Sequence, residues 1–216
     1  MKNKFFLISL LFTSFVTVNT SNVSNYKESP IIKTKILKEN SFNGQELNVY
    51  ICADYIHEDF EKQFEELYGC NVTIHTYDTN ETMYNQFTLQ PEGTYDLICT
   101  SDYMIQKMIR ENLVQKFDVD KDCPIYSEYV SSGAKEKLSS LYADTNNDGI
   151  KDTSLDQLSA GYMWGTLGII YDSECSPTIK EDVKSWDIFW DTKYNNLISI
   201  KNSMRDTFVV GLMHAF

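Results

Sequence analysis

Two hydrophobic periodicities follow each other in residues 46–69. The apolar run at residues 47–51 is typical of a strand in a sheet. Apolar residues then recur at intervals of four, four and three positions, which is the spacing of one helix face: Ile56, Phe60, Phe64 and Leu67. Gly69 stands where a helix of this register should end. This stretch therefore predicts a strand followed by a helix.

The same alternation repeats along the next forty residues or so. Apolar residues at alternating positions between 72 and 76 predict a second strand. Residues 79–81 are typical of a helix start, and the turn residues 91–93 close that second helix. A third strand is predicted at residues 95–99, and residues 101–102 are suited to begin a third helix.

The order of these elements predicts the fold class. Strands that alternate with helices form a parallel sheet with helices on its faces, so we expect an α/β fold. Such sheets bind ligands at the carboxyl ends of their strands, where loops and helix amino termini converge. In this chain the ends of the first and third predicted strands carry residues 52–55 and 100–103. These two segments are the first candidates for a binding site.

The amino-terminal residues have the pattern of an export signal. A basic start at residues 1–4 precedes an apolar run at residues 5–18 that is too short to cross a bilayer comfortably. We expect a signal peptide at residues 1–20 and a polar linker at residues 21–45, while an uncleaved anchor stays open as the alternative. The first cysteine is Cys52, so no lipoprotein is predicted. The expected location is the periplasmic space or the outer cell surface.

Composition and charge narrow the possible partners. The chain has 216 residues, a formal net charge of -12 and 42% hydrophobic residues, which is a globular composition with an acidic bias. Nucleic acid is therefore not an expected partner, whereas an acidic surface suits a cationic ligand. The sequence contains no H-E-x-x-H pair, no phosphate-binding loop and no G-x-S-x-G motif. We expect neither an enzyme nor a bound cofactor.

Two further patterns each leave two interpretations open. Five cysteines are present without a C-x-x-C pair, so they are buried thiols, or Cys52 and Cys99 form a bridge between strand ends. Residues 144–152 place oxygen-bearing side chains at alternating positions and a glycine at the sixth, as in the first part of a calcium loop. Leu155 stands at the twelfth position, where such loops carry glutamate, so the same residues are also typical of a polar turn.

Six separated motifs resemble one protein family. They are NVYICADYI, TYDTNETMYNQF, GTYDLICTSDYMIQKMIRENLVQKFD, YMWGTLGIIYD, SWDIFWDTKYNNLISI and SMRDTF. In order and spacing they resemble the polyamine (spermidine/putrescine) substrate-binding proteins of ABC transporters. The resemblance implies a two-lobed periplasmic-binding-protein-like fold of type II. Its first α/β lobe would occupy residues 46–160, and residues 161–216 would form the hinge and the beginning of an incomplete second lobe.

The resemblance also implies a function and a set of binding residues. The chain would capture spermidine or putrescine outside the cytoplasm and deliver it to an ABC transporter permease in the membrane. A linear polyamine needs carboxylates for its ammonium groups and aromatic faces along its length. Family positions of these types are matched by Asp54, Tyr55, Ser101 and Tyr103 on the first lobe and by Asp206 on the second. Alternatively, the acidic and serine residues are helix caps or surface charges, and the tyrosines pack at an edge.

Three departures from the family pattern keep other interpretations open. Cys52 replaces a common tryptophan and Ser203 a common aspartate, which removes a stacking face and a charge. The chain also stops inside an apolar helical pattern at residues 208–216, so we expect a truncated chain that exposes apolar surface there. A receptor for another small solute, or a remnant without binding, is the alternative.

Overall fold

The computed structural model describes residues 6–10, 42–115, 119–122, 126 and 130–215. The chain divides into two units, Met1–Gly165 and Thr166–Phe216. Most of the predicted signal peptide and linker lies outside the described residues, so both stay predictions. Within the described residues, no helix combines the length and the apolar character that crossing a bilayer requires.

Unit 1, Met1–Gly165, is built on a parallel sheet, which confirms the predicted α/β fold class. Its strand order is β3-β2-β4-β1-β7, and each of its four strand pairings is parallel. The strands of the sheet are β1 (Phe6–Leu10), β2 (Glu46–Cys52), β3 (Asn71–Tyr77), β4 (Leu97–Ser101) and β7 (Ala160–Met163). A separate antiparallel pair consists of β5 (Tyr142–Ala143) and β6 (Thr153–Ser154).

The helices described in unit 1 include α1 (Glu58–Tyr68), α2 (Asn80–Phe87), α3 (Asp102–Arg110), α4 (Val119–Asp122) and α5 (Ser132–Ser139). Helices α2 and α3 begin at the predicted residues, but α2 ends at Phe87, before the turn residues 91–93 that were predicted to close it. The Thr79 side chain accepts a hydrogen bond from the backbone N–H of Thr82 at the start of α2. Gly69 ends α1 with a φ of 73°, a left-handed conformation that glycine adopts without strain.

The main core lies where α2, α3 and α5 meet the sheet. Met83, Ile105, Met108 and Leu138 are completely buried. On the sheet, the Tyr50 ring stacks on the Tyr95 ring at a centroid distance of 4.4 Å. A second, smaller cluster around Val49, Ile51 and Cys99 covers the other face. Burial on both faces explains why the strand residues at 49–51 are uninterrupted by polar side chains.

Residues 6–10, which belong to the predicted export signal, form β1 between β4 and β7. Strand β7 ends at Met163, and residues 164–172 have no regular structure. At Gly161, a Cβ atom would lie 2.7 Å from the Tyr126 hydroxyl, so close packing is what requires glycine there.

Unit 2, Thr166–Phe216, contains short helices. They are α6 (Ile179–Asp182), two 3-10 helices at Trp186–Trp190 and Thr192–Tyr194, and α7 (Met204–Ala215). Its core consists of Ile179, Ile188 and Tyr194. As the sequence predicts, apolar residues near the end of α7 are exposed: Phe208 by 68%, Leu212 by 56% and Met213 by 57%.

A buried leucine of α5 provides a test of the core. Leu138 is fully buried and Leu89 is 82% exposed. We expect Leu138→Ala to lower the free energy of unfolding by about 2 to 5 kcal/mol, because it removes buried methyl groups and leaves a cavity. Leu89→Ala, the matched control, should change it by less than about 0.5 kcal/mol. Urea unfolding followed by circular dichroism measures both, and equal losses would contradict the packing described.

An ionic cluster in unit 2, formed by Asp182 with Lys193, Thr178 and Tyr194, makes the stability of this unit depend on pH. Hydrogen bonds from Lys193, then Thr178 and Tyr194, lower the pKa of Asp182 to about 2. A carboxyl group whose pKa is lowered by folding stabilises the fold above its unfolded pKa and loses that effect as pH falls. We therefore expect unit 2 to lose stability between about pH 4 and pH 2, and Asp182→Asn to remove that part of the dependence.

The measurement uses the tryptophans of unit 2. Trp186 and Trp190 report its unfolding in urea when Trp164, which lies in unit 1, is replaced by phenylalanine. Glu174→Gln, which removes an exposed charge in the same unit, is the control and should keep the full pH dependence. An unchanged pH profile in Asp182→Asn would refute this role of the ionic cluster.

Candidate functional site

The carboxyl edge of the unit 1 sheet carries four of the five predicted binding residues. Strand β2 lies between β3 and β4, and the three run parallel. Asp54 and Tyr55 follow the end of β2, Ser101 is the last residue of β4, and Tyr103 lies in the first turn of α3. Because parallel strands end at the same edge, these residues share one edge of the sheet.

Asp54 is an exposed carboxylate in a constrained backbone position. Its φ is 64°, in the left-handed region that aspartate and asparagine tolerate better than most residues. It does not cap α1, because the N-cap of that helix is His57, whose ring nitrogen accepts a hydrogen bond from the backbone N–H of Asp59. The helix-cap alternative for Asp54 is therefore wrong.

Tyr55 is held at the same edge by β7. Its carbonyl oxygen accepts a 2.7 Å hydrogen bond from the Tyr162 hydroxyl, and Tyr55 itself is half-buried. Burial, and secondarily the neighbouring Cys99 thiol, raises the pKa of Tyr162. Tyr162 thus joins the loop after β2 to β7.

Ser101 is positioned by Asn80, which the sequence pattern indicates only as part of a helix start. The Asn80 amide nitrogen donates to the Ser101 hydroxyl at 2.8 Å, and the Asn80 amide oxygen accepts from the buried Thr100 hydroxyl at 2.6 Å. Ser101 occupies the N-cap position of α3 but makes no side-chain capping bond there. Its hydroxyl oxygen therefore accepts the Asn80 hydrogen bond at the edge of the sheet and does not cap α3.

Tyr103 and Glu81 form a second contact across this edge. The Tyr103 hydroxyl donates to the Glu81 carboxylate at 2.9 Å, which joins α3 to α2. Glu81 was not among the predicted binding residues, although it follows the second predicted strand. Both side chains are half-buried, so the edge carries a tyrosine ring beside a carboxylate. This is the pair of groups that an organic ammonium prefers.

The interior just below the edge is neutral. The Tyr77 hydroxyl donates to the Cys99 carbonyl oxygen at 2.7 Å, and burial raises the pKa of Tyr77 well above its usual range. Burial, with the adjacent Cys52 thiol as a second cause, also raises the pKa of Cys99. Neither Cys52 nor Cys99 is in a disulfide, so the bridge considered between them does not form in this structure.

The possible calcium loop is a turn whose carboxylates accept backbone hydrogen bonds. The Asp144 carboxylate accepts from the N–H groups of Asp148 and Gly149 at 3.2 and 2.9 Å. Asp148 in turn accepts from the N–H of Ile150 at 2.8 Å. Across the part of the chain that the structure describes, no group of three or more His, Cys, Asp or Glu residues is arranged to hold a metal ion. These backbone hydrogen bonds are those of a polar turn, and calcium binding by the same residues stays a prediction.

Asp206 lies in unit 2, in the first turn of α7. Its carboxylate is 2.9 Å from the Lys201 ammonium, and its backbone N–H donates to the Ser203 hydroxyl at 3.4 Å. The side chain is 27% exposed, so it is not a fully exposed helix charge. An amine that binds Asp206 has to compete with Lys201 for this carboxylate.

A cavity of about 330 Å³ lies elsewhere in unit 1. Its lining includes Tyr95 and Asp96, which precede β4, together with Phe87 at the end of α2 and Asn112 after α3. These positions belong to the amino edge of the sheet. None of the five predicted binding residues lines this cavity, so it is separate from the candidate site.

The Asn80 contacts lead to a test of the candidate site. Asn80→Ala leaves the buried Thr100 hydroxyl without its acceptor, so we expect a loss of about 1 to 3 kcal/mol in the free energy of unfolding. Asn85→Ala changes an exposed asparagine of the same helix and should cost less than about 0.5 kcal/mol. Urea unfolding measures both variants. Similar values for the two would show that Asn80 does not organise this edge.

Comparisons with known proteins agree with the sequence motifs. The spermidine/putrescine-binding periplasmic protein of Salmonella typhimurium is 28% identical over 166 residues, which are 77% of this chain and 43% of that protein. The spermidine/putrescine-binding periplasmic protein 1 of Haemophilus influenzae is 26% identical over 206 residues, 94% of this chain and 51% of that protein. The chain thus spans about half the length of the curated relatives it matches.

A solved structure and a family model give the same result. A structure from Listeria monocytogenes, assigned to a spermidine/putrescine ABC transporter, is 30% identical with a TM-score of 0.54 and covers 69% of this chain and 41% of that one. The family model described as bacterial extracellular solute-binding protein matches residues 92–216, which is more than half of the sequence. The chain belongs to the family of bacterial extracellular solute-binding proteins.

Proposed function

We propose that this chain captures a polyamine, spermidine or putrescine, outside the cytoplasm and delivers it to the permease of an ABC transporter. The observation that carries the proposal is the chemistry of the carboxyl edge of unit 1. There, carboxylates and tyrosine rings gather at the ends of three neighbouring parallel strands. The names of the Salmonella and Haemophilus relatives support the same ligand class.

Charge is the first requirement of a polyamine site. Each ammonium group of a polyamine loses water when it binds and needs an anionic partner in exchange. Asp54 is exposed at the end of β2 and is available to such a group without breaking an α1 cap. Glu81 adds a second carboxylate at the end of β3, already hydrogen-bonded to Tyr103.

Aromatic faces along the ligand are the second requirement. A cation over an aromatic face gains about 0.5 to 2 kcal/mol, more when water is excluded. Tyr55 and Tyr103 follow β2 and β4, which are adjacent strands, and the hydrogen bonds through Tyr162 and Glu81 fix the loop and the ring hydroxyl. These contacts limit the entropy that the site loses when a ligand is held.

The proposed function extends to unit 2 and to the domain organisation. We assign residues 46–160 to a first lobe and residues 161–216 to a hinge and the beginning of a second lobe. In this arrangement Asp206 would contribute a carboxylate from the second lobe, and a ligand amine would replace the Lys201 ammonium beside it. The export signal at residues 1–20 and a location in the periplasm or on the outer surface belong to the same proposal.

A second candidate is a receptor for a different small solute on the same fold. Cys52 at the end of β2 offers no stacking face, and the Ser203 hydroxyl accepts a hydrogen bond from the backbone N–H of Asp206 and carries no charge. Fewer carboxylates favour a less charged ligand, because each buried ammonium requires a partner.

Calorimetry with purified chain tests the proposal. We expect saturable binding of spermidine or putrescine and none of sugars or neutral amino acids. Asp54→Asn keeps a residue that tolerates the positive φ but removes the charge, so it should weaken polyamine binding at least about tenfold. Glu66→Gln, an exposed charge change on α1, is the matched control and should leave affinity unchanged.

The result that would overturn the proposal is equally specific. Binding of a neutral solute with no polyamine binding would favour the second candidate. Absence of binding by any solute in a chain that unfolds cooperatively would leave a protein without receptor function. Equal affinity in Asp54→Asn and Glu66→Gln would remove Asp54 from the site.

A further inference from the structure

The cavity of about 330 Å³ at the amino edge of unit 1 is lined by three segments of the chain. They are the end of α2 with the turn that follows it, residues 87–94, the start of β4, residues 95–98, and the turn after α3, residues 112–115. Ile98 is only 4% exposed, so the cavity reaches the sheet. Small-molecule sites occupy about 300 to 1,000 Å³, so this volume suits a compact ligand.

Hydrogen bonds within the two turns fix the shape of the cavity. In the first turn the Thr94 N–H and hydroxyl both donate to the Pro91 carbonyl oxygen, at 3.2 and 2.8 Å. Gly93 lies between them with a φ of 92°, a conformation that glycine adopts without strain. In the second turn the Leu113 N–H donates to the Met108 carbonyl oxygen at 2.9 Å. A cavity formed in advance loses little entropy when it takes up a ligand.

The apolar part of the lining is aromatic and aliphatic. Phe87 and Tyr95 contribute rings, and Leu113 and Val114 contribute aliphatic side chains. The Tyr95 ring is held in place because it stacks on the Tyr50 ring at a centroid distance of 4.4 Å. Apolar side chains favour a ligand with an apolar body, because that body leaves water when it binds.

The charge of the lining is negative. Glu92 and Asp96 are its ionisable groups apart from the Tyr95 hydroxyl, and no lysine, arginine or histidine is among the described lining residues. In the part of the chain that the structure describes, neither carboxylate is in an ion pair. Asp96 accepts a hydrogen bond from the Asn48 N–H at 2.8 Å through Oδ2, which leaves Oδ1 for another donor. Carboxylates without a cationic partner favour a positively charged ligand.

We propose that this cavity is a second binding site, for a small organic cation with one ammonium group on a compact apolar body. The ammonium group pairs with the carboxylates of Asp96 and Glu92, and the apolar body contacts the rings and aliphatic side chains of the lining. None of the residues assigned to the polyamine site at the carboxyl edge lines the cavity. The proposal is therefore independent of the function proposed for that edge.

Titration of the full ¹⁵N-labelled chain, followed by ¹H–¹⁵N correlation spectra, tests the site with two probes of the same shape. Benzylamine is protonated at neutral pH, and benzyl alcohol is its uncharged counterpart. We expect benzylamine to shift the amide signals of residues 92–96 and 112–115 saturably, with a Kd on the order of 1 mM for so small a ligand. Benzyl alcohol lacks the ammonium group and should bind at least about fivefold more weakly.

Charge-removing variants identify the carboxylates. Asp96→Asn keeps an oxygen that accepts from the Asn48 N–H, so the fold should be retained while benzylamine binds at least about fivefold more weakly. Glu92→Gln, at an exposed position of the lining, tests the second carboxylate in the same way. Glu66→Gln, an exposed charge change outside the cavity, is the matched control and should leave the affinity unchanged.

Asp54→Asn separates this site from the polyamine site. It should leave benzylamine binding unchanged, whether or not it weakens the binding of spermidine. Benzylamine shifts at residues 54–55 and 101–103, in place of those at residues 92–96, would move the amine to the carboxyl edge and contradict the second site. The proposal would also be wrong if benzylamine and benzyl alcohol bound equally, if neither bound saturably, or if Asp96→Asn and Glu92→Gln both bound benzylamine like the unmodified chain. Should Asp96→Asn not fold, Glu92→Gln alone decides the comparison.

Discussion

Parallel pairing of β2 with both β3 and β4 is the constraint on which the rest of unit 1 depends. The register aligns seven consecutive residues of β2 with β3, from Glu46 opposite Asn71 to Cys52 opposite Tyr77. Because the strands run in one direction, every loop that follows them reaches the same edge. Parallel strands also need cover on both faces, which α2 and α3 and the smaller Val49 cluster provide. The candidate site is a consequence of this pairing, and β4 becomes an interior strand because it also pairs with β1 on its other side.

At the carboxyl edge, the buried structural contacts are neutral, and the charged groups lie above them. Asn80 satisfies the buried Thr100 hydroxyl and positions Ser101 without introducing a charge, and Tyr77 satisfies the Cys99 carbonyl. An unpaired charge at these buried positions would be costly, whereas a neutral amide is not. The carboxylates of Asp54 and Glu81 lie above this layer, where water still reaches them. The arrangement keeps anionic groups available for a cation without destabilising the sheet.

Most elements of unit 1 follow from local signals in the sequence. The features that the sequence did not predict depend on long-range contacts. Gly69 ends α1 because its left-handed conformation is a local property, so the prediction was right. Strand β4 was predicted at residues 95–99 but runs from Leu97 to Ser101, because the Asp96 side chain accepts from the backbone N–H of Asn48 at the strand start.

The residues of the candidate site also divide into those that local patterns predict and those that depend on distant partners. The positions of Asp54 and Ser101 follow from strand order, which hydrophobic periodicity predicts. The roles of Asn80 and Tyr162 depend on partners 21 and 107 residues away in sequence, which no local pattern indicates. The pairing of residues 6–10 with β4 and β7 is likewise long-range, and their apolar run was equally typical of an export signal.

The exposure of the carboxyl edge determines how strongly unit 1 can hold a cation by itself. Two unit charges 4 Å apart attract by about 1 kcal/mol in bulk water and by about 4 kcal/mol at the effective dielectric of a protein surface. Asp54 is exposed in unit 1, so its attraction for an ammonium is near the weaker value. A facing surface that excludes water would strengthen the same contact several-fold without any change in Asp54. For a receptor of this chemistry, affinity therefore depends on enclosure of the edge as much as on the residues that the edge carries.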